Sequence, residues 1–481
     1  MKSVTRPTAR RAAGAVCAGL CALVLAACAA RPPMPPLRER LPASFASDAG
    51  WRELGELSPM PGDGAWWQVF GDPVLNRLET ELNQHNQSLA AQLAVYEQAQ
   101  AALEQARAAY APVLPATAGA TRSRSLPSQG GAQAAQNSFS AGLQASWEPD
   151  LWGSVRLQVE QGRANLQAAA GTLRYTRLSL QASLASTYLQ LRTVDAQTRL
   201  AEATERDYAR ALQLTQGRYR AGVDTAANVA QARTQLLQAQ TTRTDLQVTR
   251  RQLLDAVAVL AGRPAPGFSI APDAQLPALP SIPAGVPAQL LLRRPDLAAA
   301  AQQVLAANAQ VGIDQRAWLP SITLGASGGA QAATLAQLFS APTLYWSLGP
   351  SLAATLFDGG LRDARLRAGR AAYRQAVATY RQDVLQAMQQ VQDNLYAQAV
   401  LSHEAEQQDE VVRAAEVSLR LALNQYKAGT ADYLGVITAQ TTATSARNAV
   451  LSLRNRRYAA AVNLIAALGG SWGDTAAKPR R

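Results

Sequence analysis

The chain has 481 residues and a formal net charge of +12, with only 6 Phe and 4 Met in a composition rich in Ala, Gln, Leu and Arg. That is the profile of long solvated helices rather than of a thick globular core. Lys and Arg are scattered along helical patterns, without the focused basic patch that nucleic-acid binding needs, so nucleic acid is excluded as a partner. Cys17, Cys21 and Cys28 are the only cysteines, leaving the body no internal disulfide or thiolate metal site. His85 and His403 lie in polar helical sequence and read as solvated surface residues.

Residues 1–27 combine a basic start with an apolar run from Ala12 to Ala27. This is a secretory signal, since a membrane-spanning helix needs about 20 apolar residues. Its end, Leu25-Ala26-Ala27-Cys28, matches the lipobox, in which the Cys28 thiol is acylated and becomes the new N-terminus. Several acyl chains hold a protein firmly at a bilayer. Residue 29 is Ala rather than Asp, which by similarity to sorted lipoproteins points to the outer membrane. Residues 28–71 form an acylated, proline-rich leash.

Asp72 and Pro73 suit the start of a helix, predicted to run to about Tyr110. From Asn137 to Glu148 the pattern alternates strictly, with Phe139, Ala141, Leu143, Ala145 and Trp147 on one side, so a strand follows. Residues 113–124 make its weaker partner. After Trp152-Gly153 a helical pattern runs to Tyr219, with Leu166, Leu173 and Leu180 at sevens. Helices of this length must pack on other long helices. A return helix is predicted from Ala226 to Ala261, and a Pro-rich linker occupies 264–287. The same order then repeats over 288–470. Ile322, Leu324 and Ala326 alternate in one strand, and Trp346 to Leu356 alternate in another. A second long helix ends near Tyr426, and a last one spans Tyr433 to Leu468. A disordered tail is predicted for 471–481.

The chain is one unit duplicated, 72–263 and 288–470. A shift of 207 superposes Tyr219, Ala221, Gly222 and Arg250 on Tyr426, Ala428, Gly429 and Arg457. A shift of 208 superposes Leu89 and Pro112 on Leu297 and Pro320. Both long helices therefore turn back at a Tyr-x-Ala-Gly bend, where Gly takes the left-handed conformation without a Cβ clash.

Each copy offers two strands of a length that crosses a bilayer when tilted. Four strands cannot close a barrel, and open edges cannot face lipid. A barrel must be shared between chains: two would give eight strands with a filled interior, and three would give twelve. A conduit favours three. Phe139, Trp147, Tyr345 and Trp346 are candidates for aromatic belts, or alternatively for packing within the sheet.

Five ordered signatures carry a resemblance: Trp66-Trp67-x-x-Phe70-x-Asp72-Pro73-x-Leu75, Trp147-Glu148-Pro149-Asp150-Leu151-Trp152-Gly153, Arg293-Arg294-Pro295-Asp296-Leu297, Leu356-Phe357-Asp358-Gly359-Gly360 and the two Tyr-x-Ala-Gly bends. The chain resembles the outer-membrane factors of tripartite efflux pumps, in the lipoprotein branch that includes NodT-like and OprM-like proteins, with TolC a more distant relative. The resemblance implies a mainly α-helical protein whose homotrimer completes a 12-stranded β-barrel in the outer membrane of a Gram-negative bacterium. It implies a periplasmic adaptor (membrane fusion) protein docked on the tips at Tyr219, Ala221, Gly222, Tyr426, Ala428 and Gly429. An inner-membrane proton-driven transporter would supply the energy, and no cofactor is implied beyond the lipid on Cys28. The cargo implied is small molecules, drugs or other toxic compounds; ducts for secretion or metal efflux remain alternatives. TolC-like members narrow the pore with Asp residues just after the second tip, but Gly435 and Thr438 stand at those positions here. Asp432 is the nearest carboxylate and Asp224 its rough counterpart. Three copies of Asp432 around a narrow axis would repel one another and attract cations, or Asp432 simply caps the helix beginning at Tyr433. Closure is expected to rest more on tip packing than on an acidic ring.

Two rival functions fit less of the chain. Gly325-Ala326-Ser327-Gly328-Gly329 fits G-x-S-x-G, but a nucleophile elbow needs a strand-to-helix turn, and no acid–His pair is placed to activate Ser327. A periplasmic coiled-coil scaffold held only by its lipid has no use for four amphipathic strands.

Overall fold

A computed structural model describes residues 64–124, 135–280 and 293–470. The signal segment, Cys28, most of the leash, parts of the 125–137 loop and of the linker, and the tail lie outside the described residues.

After a 3-10 turn at Trp66–Phe70 come α1 (Pro73–His85), α2 (Gln87–Ala108), β1 (Ala116–Ser123), β2 (Gln136–Trp147), α3 (Ser154–Arg220) and α4 (Ala226–Leu260). The second copy supplies α5 (Pro295–Arg316), β3 (Ser321–Ala332), β4 (Leu344–Ala353), α6 (Leu361–Ala428) and α7 (Tyr433–Ala467). The duplication is visible in the element bounds. Both α4 and α7 have 35 residues, offset by 207 at each end (226 to 433, 260 to 467), and α2 and α5 both have 22. At 1.5 Å per residue, the 67 residues of α3 make about 100 Å of helix.

The chain divides into two compact units that cut across the repeats. One comprises Val95–Ala169 and Ala299–Tyr380 and contains the sheet, in the order β1-β2-β3-β4, antiparallel throughout. Trp147 lies opposite Leu324, and Leu324 opposite Pro350. One face therefore carries Phe139, Leu143, Trp147, Leu324, Trp346, Leu348 and Leu352. Its exposed apolar residues include Trp346 at 82%, Leu348 at 75% and Leu352 at 68%. The other face carries Ser, Thr, Gly and Gln, with Ser327 Oγ 2.8 Å from Ser347 Oγ and Gln331 donating to Ser138 at 3.0 Å. Ser327 thus sits inside a strand, not on an elbow. Tyr345 is on this polar face, opposite to Trp346. Its ring lies over Gly142 and Gly329, where a Cβ would meet its hydroxyl at 3.3 and 3.0 Å, so it belongs to no belt shared with Trp346.

Three predicted boundaries shift. β1 begins at Ala116, and Val113 contributes only an isolated bridge to Ser146. β4 stops at Ala353, so the alternation through Leu356 outruns the strand. The helix predicted from Pro73 to Tyr110 is broken at Asn86, whose backbone is extended. There the Asn86 side chain caps α2 by accepting from Leu89 N at 3.0 Å and donates to Leu260 O at 2.8 Å. Gly262, with φ +73°, packs so closely that a Cβ would lie 2.3 Å from His85 O. The end of α4 abuts the break, which amphipathic periodicity cannot signal.

The other unit comprises residues 64–94, the described part of 170–298, and 381–470. Its core contains Trp66, Phe70, Leu75, Leu78, Leu184, Tyr188, Tyr458 and Val462, all essentially buried. Asp72 caps α1 with Oδ1, 2.8 Å from Val74 N, while its Oδ2 accepts from Tyr188 at 2.7 Å. The scattered arginines hold the linker. Arg192 donates to Asp273 and Gln275 O, Arg250 to Ile270 O, and Arg454 to Pro277 O, at 2.6–2.9 Å. A Pro-rich segment leaves carbonyls without secondary-structure partners, and guanidinium groups with several donors satisfy them.

Candidate docking tip and closure site

The turns between α3 and α4 and between α6 and α7 are both in the helical unit. In the first, Gly222 has φ +74°, Gly222 N donates to Tyr219 O at 2.9 Å and Val223 N to Arg218 O at 3.0 Å. In the second, Gly429 has φ +75°, with Gly429 N on Tyr426 O at 3.1 Å and Thr430 N on Gln425 O at 3.0 Å. This double bond pattern closes a helix with a left-handed glycine and satisfies two of its free carbonyls. Thr225 caps α4 and Asp432 caps α7, with Tyr433 N 2.6 Å from Asp432 Oδ1.

The two bends match in backbone and differ in side-chain environment. Ala221, Gly222, Ala428 and Gly429 are exposed, and a Cβ on either glycine would meet nothing within 4 Å. Tyr219 is 49% exposed whereas Tyr426 is 2% exposed. The six named residues do not form one uniform surface: Tyr426 is turned inward. Its ring lies 5.3 Å from that of Tyr433 and under the Arg218 guanidinium at 4.6 Å. Ala211, Ala232, Val436 and Ile437 pack around the two rings.

The Tyr426 hydroxyl donates to Asp224 Oδ2 at 2.5 Å. Asp224 also accepts from Asn228 Nδ2 at 2.6 Å and from Thr225 N at 2.8 Å, and Arg218 Nε lies 3.6 Å away. Burial opposes the charge on Asp224, but the bonds from Tyr426, Asn228 and Thr225 and the charge of Arg218 outweigh it, holding the carboxyl below its usual range. Burial also pushes the Tyr433 hydroxyl up to about 12. Asn228 reaches Asp432 Oδ1 at 3.3 Å, so one amide bridges the two carboxylates named in the sequence as possible constriction residues. Asp224, with its side chain 4% exposed, is tied up within the chain. Asp432 remains exposed at the start of α7. Gly435 and Thr438 are exposed as well, and Thr438 bonds back to Leu434 O.

Arg218, Asn228, Tyr433 and Thr215, whose Oγ1 accepts from the Tyr426 hydroxyl at 3.3 Å, are members of this site that the sequence did not single out. Tyr426 and Asp224 are 202 residues apart, and the repeat offset pairs Tyr426 with Tyr219 instead. No local pattern marks the contact.

Among the described residues, no helix is long and apolar enough to cross a membrane. Known proteins give the context. The family model described as outer membrane efflux protein matches residues 78–263 and 286–470. The chain is 33% identical over 445 residues to the pyoverdine export outer membrane protein OpmQ of Pseudomonas putida, covering 89% of this chain and 93% of that one. It is 32% identical over 423 residues to the toluene efflux pump outer membrane protein TtgF of Pseudomonas putida, covering 86% and 87%. The solved structure of the outer-membrane channel OprN superposes with a TM-score of 0.84 at 27% identity, over 93% of this chain and all of that one.

Proposed function

The chain belongs to the outer membrane efflux protein family, and we propose that three copies form the outer duct of a tripartite pump that exports small molecules. The observation that carries this reading is the four-stranded sheet. It has one face of exposed apolar side chains, one of hydroxyls, amides and glycines, and β1 and β4 at its free edges. Such a sheet suits lipid on one side and water on the other, provided its edges are paired. β1 and β4 are antiparallel in sense, so β4 of one copy can pair with β1 of the next, and three copies close a barrel of twelve.

The protein is an outer-membrane protein, and acyl groups on Cys28 add a lipid anchor on the periplasmic side. The long helices carry the conduit into the periplasm. A periplasmic adaptor docks on the exposed bend residues Tyr219, Ala221, Gly222, Ala428 and Gly429, and an inner-membrane proton-driven transporter loads the duct, which does no chemistry itself. Relatives named for pyoverdine export and toluene efflux support cargo of small organic molecules. The hydrogen bonds of the Tyr426–Asp224–Asn228–Asp432 chain, together with the packed Tyr433 cluster behind it, hold the resting tip closed.

Complementation tests this. In a Gram-negative host lacking its own outer-membrane efflux channels, co-expression with the matching adaptor and transporter restores resistance to organic toxicants. Photo-crosslinkers at Ala221 and Ala428 capture the adaptor. Capture of a secretion or metal-efflux adaptor instead would keep the duct and overturn the cargo.

A further inference from the structure

Away from the bends, the helical unit has a cleft of about 560 Å³ with walls from α3, α6 and α7. Its α3 wall holds Tyr175 and hydroxyls from Ser179 to Thr187, roughly 50 Å or more along the helix from Tyr219 by helical rise. Gln390 and Asn394 of α6 and Asn463 of α7 line its other sides.

The cleft lies where the two repeats meet. Shifting Ser183 and Thr187 by 207 gives Gln390 and Asn394, so the two long helices line it with equivalent positions. α7 adds Asn463, whose counterpart on α4 is Ala256. A return helix thus does not need an amide at this place for its own packing.

These groups keep hydrogen-bonding capacity in reserve. Ser183 and Thr187 donate to carbonyls of their own helix, at 2.8 and 2.7 Å. Gln390 Oε1 accepts from Arg294 at 3.0 Å, and Asn394 Nδ2 donates to Gln390 O at 2.7 Å. Gln390 Nε2 is left as a donor and Asn394 Oδ1 as an acceptor. The side chains of Ser186 and Asn463 have no hydrogen-bond partner among the described residues, so each can both donate and accept.

The lining selects by charge as well. Arg294 is its one charged residue among the described residues, and the guanidinium already donates to Asp296 through Nε and Nη2, at 3.1 and 2.7 Å. An anion finds no free cation there, and a metal ion finds no carboxylate on the walls. An apolar molecule would cover the free amides without pairing them, which is unfavourable. Tyr175, 40% exposed, adds an apolar ring face. Neutral donors and acceptors beside an aromatic ring suit a molecule with a rim of hydroxyls and an apolar C–H face.

We propose that this cleft binds a neutral carbohydrate. Asn463, Ser186, Gln390 and Asn394 pair with its hydroxyls, and Tyr175 covers the face of a sugar ring. The volume is that of a small-molecule site. The site is contained in one chain and does not rest on the trimeric reading.

Isothermal titration of the purified full-length protein tests it, in a detergent without a sugar headgroup, with maltotriose and triacetylchitotriose as probes. Saturable binding of at least one is expected. Ser186→Ala combined with Asn463→Ala should weaken it about tenfold or more, through two lost hydrogen bonds. Tyr175→Ala, which leaves the polar set intact, should weaken it separately. Both variants should keep the heat-modifiable migration of the parent, since Ala256 already stands at the place of Asn463 in the first repeat and Tyr175 is exposed. Sedimentation with insoluble chitin separates the sources of sugar. Retention supports a site open to a polymer chain, and trisaccharide binding without retention supports one for free saccharides. No saturable binding of either probe overturns the site. Undiminished binding in both variants places the sugar elsewhere and overturns it as well.

Discussion

The Tyr426 hydroxyl sits 2.5 Å from the Asp224 carboxylate, joining the end of α6 to the turn between α3 and α4 across 202 residues of sequence. Removing only that hydroxyl isolates its effect. A hydrogen bond to a charged group contributes about 1.5–3 kcal/mol. Tyr426→Phe should keep the ring stacked beneath Arg218 while speeding amide exchange in residues 426–433 by one to two orders of magnitude. Unchanged exchange there would show that packing alone closes the tip.

The same carboxylate makes the tip sensitive to acid. Asp224 titrates lower in the folded chain than in the unfolded one. Its contribution is therefore fully present above the unfolded carboxyl value of about 4 and is lost as pH falls through the lower folded value. Limited proteolysis at the tip should accelerate below about pH 4 and stay flat from neutrality down to that point. In Asp224→Asn the acid-induced part should disappear, and a wild-type pH profile in that variant would remove Asp224 as its source.

Closure by packing and closure by an acidic ring predict different single-channel behaviour. Asp432→Asn retains a capping side chain at the start of α7 and removes the charge. It should leave opening frequency in planar bilayers unchanged. Ile437→Ala cuts into the buried cluster with Tyr426 and Tyr433, at a cost of about 2–5 kcal/mol for such truncations. It should open the channel more often. The reverse order would restore Asp432 as the gate.

Two glycines with nearly the same backbone angle should respond very differently. Gly222 has φ +74° with open space around it, so Gly222→Ala carries only the left-handed penalty of roughly 1–2 kcal/mol. Gly262 has φ +73°, and a Cβ there would overlap His85 O at 2.3 Å. Gly262→Ala should therefore abolish accumulation of folded protein, judged by heat-modifiable migration on gels, while Gly222→Ala folds normally.

Asn86 and Arg294 stand at matching places in the two repeats and do the same work with different chemistry. Asn86 donates to Leu260 O, and Arg294 donates to Ala467 O, 207 residues further on. Each side chain anchors the end of a return helix. Asn86→Ala loses this anchor and the cap on α2 together, and caps alone contribute about 0.5–2 kcal/mol. Its denaturation midpoint should fall clearly, and addition of Arg294→Ala should lower it further by a roughly additive amount, since the two sites are in separate repeats.

The sequence by itself determined the duplication, the four long helices and their glycine bends, and the alternating strands. These rest on local rules: period 3.6 or 2, a left-handed position that only glycine fills cheaply, and a Pro that starts a helix. It also determined the family, because five short signatures stand in order along the chain. Tertiary structure alone decided that Tyr219 is exposed and Tyr426 buried, although both occupy the same repeat position, since burial depends on which neighbouring helix arrives there. It decided that the helix after Pro73 breaks at Asn86, where the end of α4 comes down on His85 O. It placed Tyr345 on the opposite face from Trp346 by the register of β4 on β3. It also gave a purpose to arginines such as Arg192, Arg250 and Arg454, whose guanidinium groups donate to linker carbonyls 83, 20 and 177 positions away in the chain. Contacts between residues some 200 positions apart leave no periodic trace, because each partner is chosen by the folded neighbourhood and not by its own flanking sequence.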